Sequence, residues 1–240
     1  MNRTFFHSSM WAWVVCIPAT VTWLISEWML DWDVLDTAWS NNWILTSWLT
    51  YEDVSDSCVS QRAVITTWYI RTWISWISTL ATWAVTTKFN SIDSHWAIFS
   101  ISDIASFEKW ISINLTTGWV IAIQYRNSTW AQWVNYYQQN TVNNWFADWN
   151  DHTLVVQPNS WNTWYDVWID WILQSMVTGF WAPSWKWFST ISWLDYVHLW
   201  NLQRSSWFIS QWDWKQWYTR VYNKRLIQTE VDNLENNMTS

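Results

Sequence analysis

Residues able to do chemistry are sparse in this chain. Glu230, Asp232 and Glu235 form a Glu-x-Asp-x-x-Glu spacing, and carboxylates spaced along one strand face can supply the nucleophile and acid of glycoside hydrolysis. Here the pattern falls in the tail. Residues 226–234, LIQTEVDNL, read as a short helix in which Thr229 can cap the start and Val231 and Leu234 share a face. On a helix Glu230 and Asp232 point to different sides, so the triplet reads as a solvated end. His152 is the one candidate general base. Its neighbours Thr153 and Leu154 put it at a strand start, where a hydrogen-bonded structural histidine fits better. The sequence shows no recognisable Ser-His-Asp or Cys-His arrangement, no CxxC or HExxH spacing and no Gly-rich phosphate loop.

The elements that must position these residues are strands. A chain of 240 residues fits one large all-β domain. Its charged fraction is 13%, and Asn, Ser, Thr, Ile and Val are plentiful, which favours strands and polar turns over amphipathic helices. Alternation of apolar and polar residues predicts strands at 63–70, 97–101, 111–115, 120–125, 152–157, 165–169, 196–199 and 218–222. The inward phase of those strands gives a predicted core of Phe99, Ile111, Ile113, Leu115, Ile121, Ile123, Leu154, Val156, Val167, Ile169 and Val221.

Composition excludes several function classes. The formal net charge is -7 with only 12 Lys and Arg, whereas nucleic-acid binding relies on clustered basic residues that release counterions. The same acidity argues against anionic membranes. The apolar stretches at 11–25 and 63–87 are interrupted by Pro18, Arg71 and many Ser and Thr, so neither supplies the ~20 mainly apolar residues of a membrane span. Cys16 and Cys58 allow at most one disulfide, and their redox state stays open.

Tryptophan is the anomaly: the chain has 32 Trp and 2 Gly, although average usage would give about seventeen glycines. The tryptophans fall among turn formers, in DWD at 31–33, SNNW at 40–43, NNWFADWND at 143–151, NSWNTW at 159–164 and QWDWKQW at 211–217. These are contexts for glycine, because Asn-Gly and Asp-Gly supply the positive φ of tight hairpins. A scrambled or designed Trp-rich chain would not place Trp so selectively. We read the surplus as a recoded UGA codon, decoded as glycine in some bacterial lineages. That reading predicts tryptophans in exposed loops and strand ends, several at positive φ, and not in the core.

Five strings then become legible in order: WLISEWMLDWDVLDTAWSNNW at 23–43, FADWNDHTLVV at 146–156, TWYDVWIDWIL at 163–173, VHLWN at 197–201 and YTRVYNKRLIQTEVDNL at 218–234. Together they resemble the laminin-G-like jelly-roll family of the concanavalin A-like lectin/glucanase superfamily, over residues 23–236. In this resemblance Trp23, Trp32, Trp39, Trp43 and Trp171 occupy glycine positions, and Asp151-His152 replaces the usual Trp-His pair. It implies an all-β, two-sheet antiparallel β-sandwich with a short C-terminal helical turn. Residues 1–22 would be a leader, with Arg3 before an apolar stretch as in a signal peptide, or the remnant of a truncated upstream region; 237–240 would be a tail.

The function implied is that of a noncatalytic secreted or cell-surface module recognising a glycan or an extracellular protein through its loops. The alternatives are a glycan hydrolase, which a close pair of carboxylates on the concave sheet would support, and an architectural domain of a larger surface protein. The superfamily often binds calcium through loop carboxylates, which implicates Asp33 and Asp36, although turn Asp residues also cap their own backbone. No other cofactor, no nucleic acid and no transmembrane span are expected. With the tryptophans set aside, the aromatics available to stack on sugars are Tyr136, Tyr137, Phe146 and Tyr165.

Overall fold

Alternating β-branched and polar residues can bury one face of a strand only by pairing edge to edge and stacking sheet on sheet. The computed structural model has that form. It describes residues 24–29, 44–45, 50–53, 61–65, 70–73, 77, 79–91, 96–105, 109–116, 118–127, 136–143, 145–159, 164–180, 188, 191, 194–199, 202–204, 207–209 and 214–236. The strands in chain order are β1 (Leu24–Met29), β2 (Ile44–Leu45), β3 (Thr50–Asp53), β4 (Gln61–Ile65), β5 (Ile70–Trp73), β6 (Ala84–Ser91), β7 (Trp96–Ser102), β8 (Lys109–Leu115) and β9 (Ile121–Asn127). They continue as β10 (Tyr136–Thr141), β11 (Asp151–Pro158), β12 (Tyr165–Ile169), β13 (Ile172–Leu173), β14 (Met176–Phe180), β15 (Tyr196–Leu199), β16 (Leu202–Arg204), β17 (Trp207–Ile209) and β18 (Trp214–Tyr222), followed by helix α1 (Gln228–Asn236).

The first sheet runs β13-β12-β11-β6-β18-β4-β3, with β1 also pairing β18, and the second runs β14-β10-β9-β8-β7-β15-β5-β2. All their pairings are antiparallel. One row of the first sheet reads Val167, Val156, Val85, Val221 across four strands. A row of the second reads Val197, Ile101, Ile111, Tyr125. Both belong to one buried cluster that contains all eleven residues of the predicted core. Each such side chain contributes roughly 1.5–3 kcal/mol on burial, which makes this interface the main source of stability.

The outward face of the first sheet is closed by the C-terminal helix. Ala84, Val155, Trp168 and Tyr222 pack with Leu226, Val231 and Leu234, so the shared face of Val231 and Leu234 is buried. Gln157 fixes the helix approach, accepting from Leu226 N at 2.7 Å and donating to Leu226 O at 2.9 Å. The start of the helix is held otherwise than expected. Glu230, not Thr229, supplies the carboxylate that accepts from Ile227 N at 3.0 Å, because the helix begins at Gln228 and leaves Thr229 inside the first turn.

Two strand expectations need correction. The run 63–70 is not one strand: β4 joins the first sheet and β5 the second, and alternation alone cannot reveal where a chain changes sheets. Strands β6 and β10 were not signalled either. Both are rich in Thr, Asn or Gln, yet Thr86, Thr87, Asn90 and Gln139 are buried, because sheet neighbours and side-chain hydrogen bonds replace water. Gln139 Oε1, for instance, accepts from Tyr165 N at 3.1 Å across the sandwich.

Four of the five non-glycine residues at positive φ, among those described, are tryptophans: Trp119 (62°), Trp145 (81°), Trp149 (69°) and Trp171 (69°). The fifth, Asp170 (49°), precedes Trp171, and Ile169 pairs with Ile172 around them. This is a two-residue hairpin with positive φ at both central positions, the type I′ geometry that selects Asp-Gly or Asn-Gly. Trp145 and Trp149 are also exposed. The expectation that tryptophans avoid the core fails at Trp83, Trp110, Trp168 and Trp217, which are buried. Trp83 stacks on Phe188 at 4.1 Å, where a flat ring fills the gap beside β6, although its indole N–H finds no acceptor.

Candidate functional site

Of the places among the described residues where polar side chains meet, the first is the sandwich end where β10 passes to β11. His152 is the second residue of β11 and lies beside Phe89 of β6 in the pairing register. Its Nδ1 is 2.7 Å from Asp170 Oδ2 and its Nε2 2.9 Å from Asp148 Oδ1. Phe146 meets the imidazole edge-on at 5.7 Å. Asp170 Oδ1 also accepts from Thr153 N at 2.9 Å, and Asp148 accepts from Asn150 N at 2.9 Å. Burial opposes the charged imidazole, but the hydrogen bonds and negative charges of Asp170 and Asp148 outweigh it and hold the pKa above its ordinary value. Asp148 is likewise pushed up by its partial burial and pulled down further by Asn150 and His152, for a net lowering. Both ring nitrogens are engaged by carboxylates, so His152 has no lone pair to offer a substrate as a general base. It is a structural histidine tied to the Asp170 turn.

The second place is the outward face of the second sheet. Alternation that sends Phe99, Ile111, Ile113 and Ile123 inward sends their neighbours outward. The register aligns Arg71, His198, Ser100, Ser112, Gln124 and Gln138 in one row across six strands. Beside it runs Trp73, Tyr196, Ser102, Trp110, Arg126 and Tyr136. Neither row contains an Asp or Glu. The amides are chained: Gln124 Nε2 donates to Gln138 Oε1 at 3.0 Å, and Gln138 Nε2 to Asn140 Oδ1 at 2.7 Å. His198 Nε2 and Ser102 Oγ are 3.0 Å apart, and Asn114 donates to Ser112 Oγ at 2.8 Å. The serines and His198 form a buried floor, whereas Gln124, Gln138, Asn140 and Tyr196 are half-buried. Ser100, Ser102, Ser112 and His198 have no exposed surface, and β16 packs against β7 and β15 there, so the groups open to a polyhydroxylated ligand are the half-buried amides of Gln124, Gln138 and Asn140 and the ring of Tyr196.

The residues singled out in the sequence are dispersed. Asp33, Asp36, Cys16 and Cys58 lie outside the described residues, and among the described ones no group of three or more His, Cys, Asp or Glu is placed to hold a metal. Glu230 bonds Lys224 Nζ at 2.5 Å and caps α1, and Asp232 accepts from Gln228 at 2.7 Å. Both therefore serve the helix, as their position in the tail suggested. Tyr165 is buried in the core and cannot stack on a sugar, which corrects its listing among the available aromatics; Phe146 is half-buried against the same core. Tyr136 and Tyr137 both lie on β10, and the register sets Tyr136 opposite Arg126. A carboxylate pair does occur at Asp103 and Asp195, where burial first and then the Asp103 charge raise the Asp195 pKa. It caps the β7–β8 turn, Asp103 Oδ1 accepting from Ala105 N at 2.9 Å, and sits off the polar rows. Those rows are not among the residues singled out by apolar alternation; their signal in the sequence is the polar phase of β7 to β10.

Neither a family model nor a curated protein matches the sequence. Solved structures do match the fold. Domain 4 of AbnA, a GH43 extracellular arabinanase from Geobacillus stearothermophilus, in complex with arabinotriose, is 15% identical with a TM-score of 0.63, covering 88% of this chain and 97% of that one. The CBM40 of the Ruminococcus gnavus IT-sialidase, bound to alpha2,3 sialyllactose, is 12% identical with a TM-score of 0.54, covering 78% and 96%. The leech intramolecular trans-sialidase, 13% identical with a TM-score of 0.54, matches over 79% of this chain but 27% of its own length. The chain is a two-sheet antiparallel β-sandwich with a C-terminal helix.

Proposed function

We propose that this chain is a noncatalytic glycan-binding module, secreted or displayed at a cell surface, whose ligand lies along the outward face of the second sheet. The observation that carries the reading is the carboxylate-free chain of half-buried amides on that face, Gln124, Gln138 and Asn140, on the same sheet as the half-buried Tyr196. Two neighbours of the fold carry arabinotriose and sialyllactose in their bound forms, which favours a sugar as the ligand class. No helix among the described residues is long and apolar enough to cross a membrane. The reading departs from recognition through loops: the groups offered to the ligand stand on strands β9, β10 and β15.

The finer family reading is laminin-G-like, with calcium at Asp33 and Asp36 and glycine at the tryptophan positions of positive φ. Recoding is supported by the type I′ turn at Asp170-Trp171 and by the left-handed backbone at Trp119, Trp145 and Trp149. UGG codons at Trp32, Trp149 and Trp171 would sink it.

The test of function is a glycan array followed by calorimetry, with Gln124→Ala and Gln138→Ala variants. Loss of hydrogen bonds to a bound sugar should weaken binding about tenfold per 1.4 kcal/mol removed, with an unchanged melting temperature. Unaltered affinity in both variants would remove the sheet face as the site.

A further inference from the structure

Two ionised carboxylates can only accept hydrogen bonds, and a neutral imidazole has a single N–H. His152 faces Asp170 through Nδ1 at 2.7 Å and Asp148 through Nε2 at 2.9 Å. Both bonds exist together only in the imidazolium. We propose that His152 is a proton-operated clamp that ties the 146–150 loop to the β12–β13 turn.

The surroundings make the clamp specific. The turn presents Asp170, and the loop presents Asp148 and the uncharged ring of Phe146. Strand β6 presents Phe89, 5.9 Å from the imidazole. Its charged neighbour Lys88 belongs to the opposite phase and lies over Trp217, 4.8 Å from the ring centroid. On β11 itself Asp151 alternates away and bonds Asn90 at 3.0 Å, and Lys215 of β18 pairs with Asn90 in that same row. Asp148 and Asp170 are therefore the charges that face the imidazole.

When the proton leaves, the two bonds are not equivalent. Asp170 is fixed from its other oxygen by Thr153 N at 2.9 Å, so it retains the remaining N–H. Asp148 keeps only local partners in Asn150, at 2.9 and 2.6 Å, and now faces a lone pair and a second carboxylate. The loop stays anchored at Phe146, whose N donates to Trp119 O at 3.2 Å, and at Trp149, whose N donates to Ser91 O at 3.3 Å. The span between those anchors loses its tether.

The raised pKa of His152 agrees with this geometry. Its stabilisation is complete below the ordinary value of about 6.5 and disappears as pH rises through the higher value of the folded protein.

The test is NMR on the intact chain. Nitrogen shifts of His152 should report a doubly protonated ring at pH 6, titrating above 6.5. The backbone amide shifts of Ala147 and Asp148, which lie between the two anchors, should step at that same midpoint. Asp148→Asn should lower the midpoint and flatten the step. A His152 that titrates at or below the ordinary value, or Ala147 and Asp148 amide shifts without a step there, would overturn the clamp. The wild-type titration decides the matter even if a variant fails to fold, and it does not depend on any glycan being found.

Discussion

Trp149 has a φ of 69° and Trp145 one of 81°, where the Cβ of an L-residue crowds the following carbonyl at roughly 1–2 kcal/mol. Both side chains are mostly in solvent, 66% and 61% exposed, so little packing repays that strain. The sign of a glycine-versus-alanine comparison is diagnostic here. At a right-handed position glycine is worse than alanine by roughly 0.5–1 kcal/mol; at these two it should be better by about 1 kcal/mol. Denaturant melts of Trp149→Gly and Trp149→Ala measure this, and alanine equal to or better than glycine would contradict the strain. His152 gives a second prediction at this scale. Because its folded pKa is raised by Asp170 and Asp148 against burial, the melting temperature should fall as pH rises from 6 to 9. His152→Gln should flatten that slope, and a wild-type slope of the opposite sign would reject the attribution. The turn context of Trp149 and the structural role of His152 were legible in the sequence, but the partners of His152 were not, because a histidine beside an aspartate says nothing of a carboxylate that is 18 residues away in the chain.

At the scale of elements, apolar alternation carried most of the information. Strands β8, β9, β11 and β12 were legible because their inward phase is mostly Ile, Leu and Val, and the β11–β12 hairpin pairs Leu154 with Ile169 and Val156 with Val167. What stayed hidden were strands whose inward or outward phase is amide and hydroxyl, since polar residues buried by partners look like loop residues in isolation. The helix illustrates how a boundary error moves a role. With α1 beginning at Gln228, the cap is the carboxylate of Glu230 reaching back to Ile227 N at 3.0 Å, the second half of a capping box. Glu230→Ala should therefore cost about 1 kcal/mol in chemical denaturation, while Thr229→Ala should cost close to nothing. A larger loss at Thr229 than at Glu230 would mean that the helix starts two residues later.

For the molecule as a whole, the two-layer architecture follows from composition and alternation, whereas the proposed ligand face follows only from register. No single residue of the row from Arg71 to Gln138 is distinctive in the chain; they converge because six strands stack in one phase. The calcium reading is a whole-molecule question for a related reason: an ion held by Asp33 and Asp36 would stabilise the folded chain by mass action. Extracellular calcium modules have dissociation constants of about 10⁻⁴–10⁻³ M. At 10 mM calcium such a site would add roughly 1.4–2.7 kcal/mol, and for a chain of this size each kcal/mol raises the melting temperature by about 2–4 °C. A rise of several degrees between chelator and 10 mM calcium is therefore expected, absent with magnesium, which dehydrates reluctantly and demands stricter geometry. The double variant Asp33→Asn, Asp36→Asn should abolish the rise while melting at the chelator temperature. An unchanged transition in wild type would leave both carboxylates as turn caps, and a rise that persists in the double variant would move the ion to other oxygens.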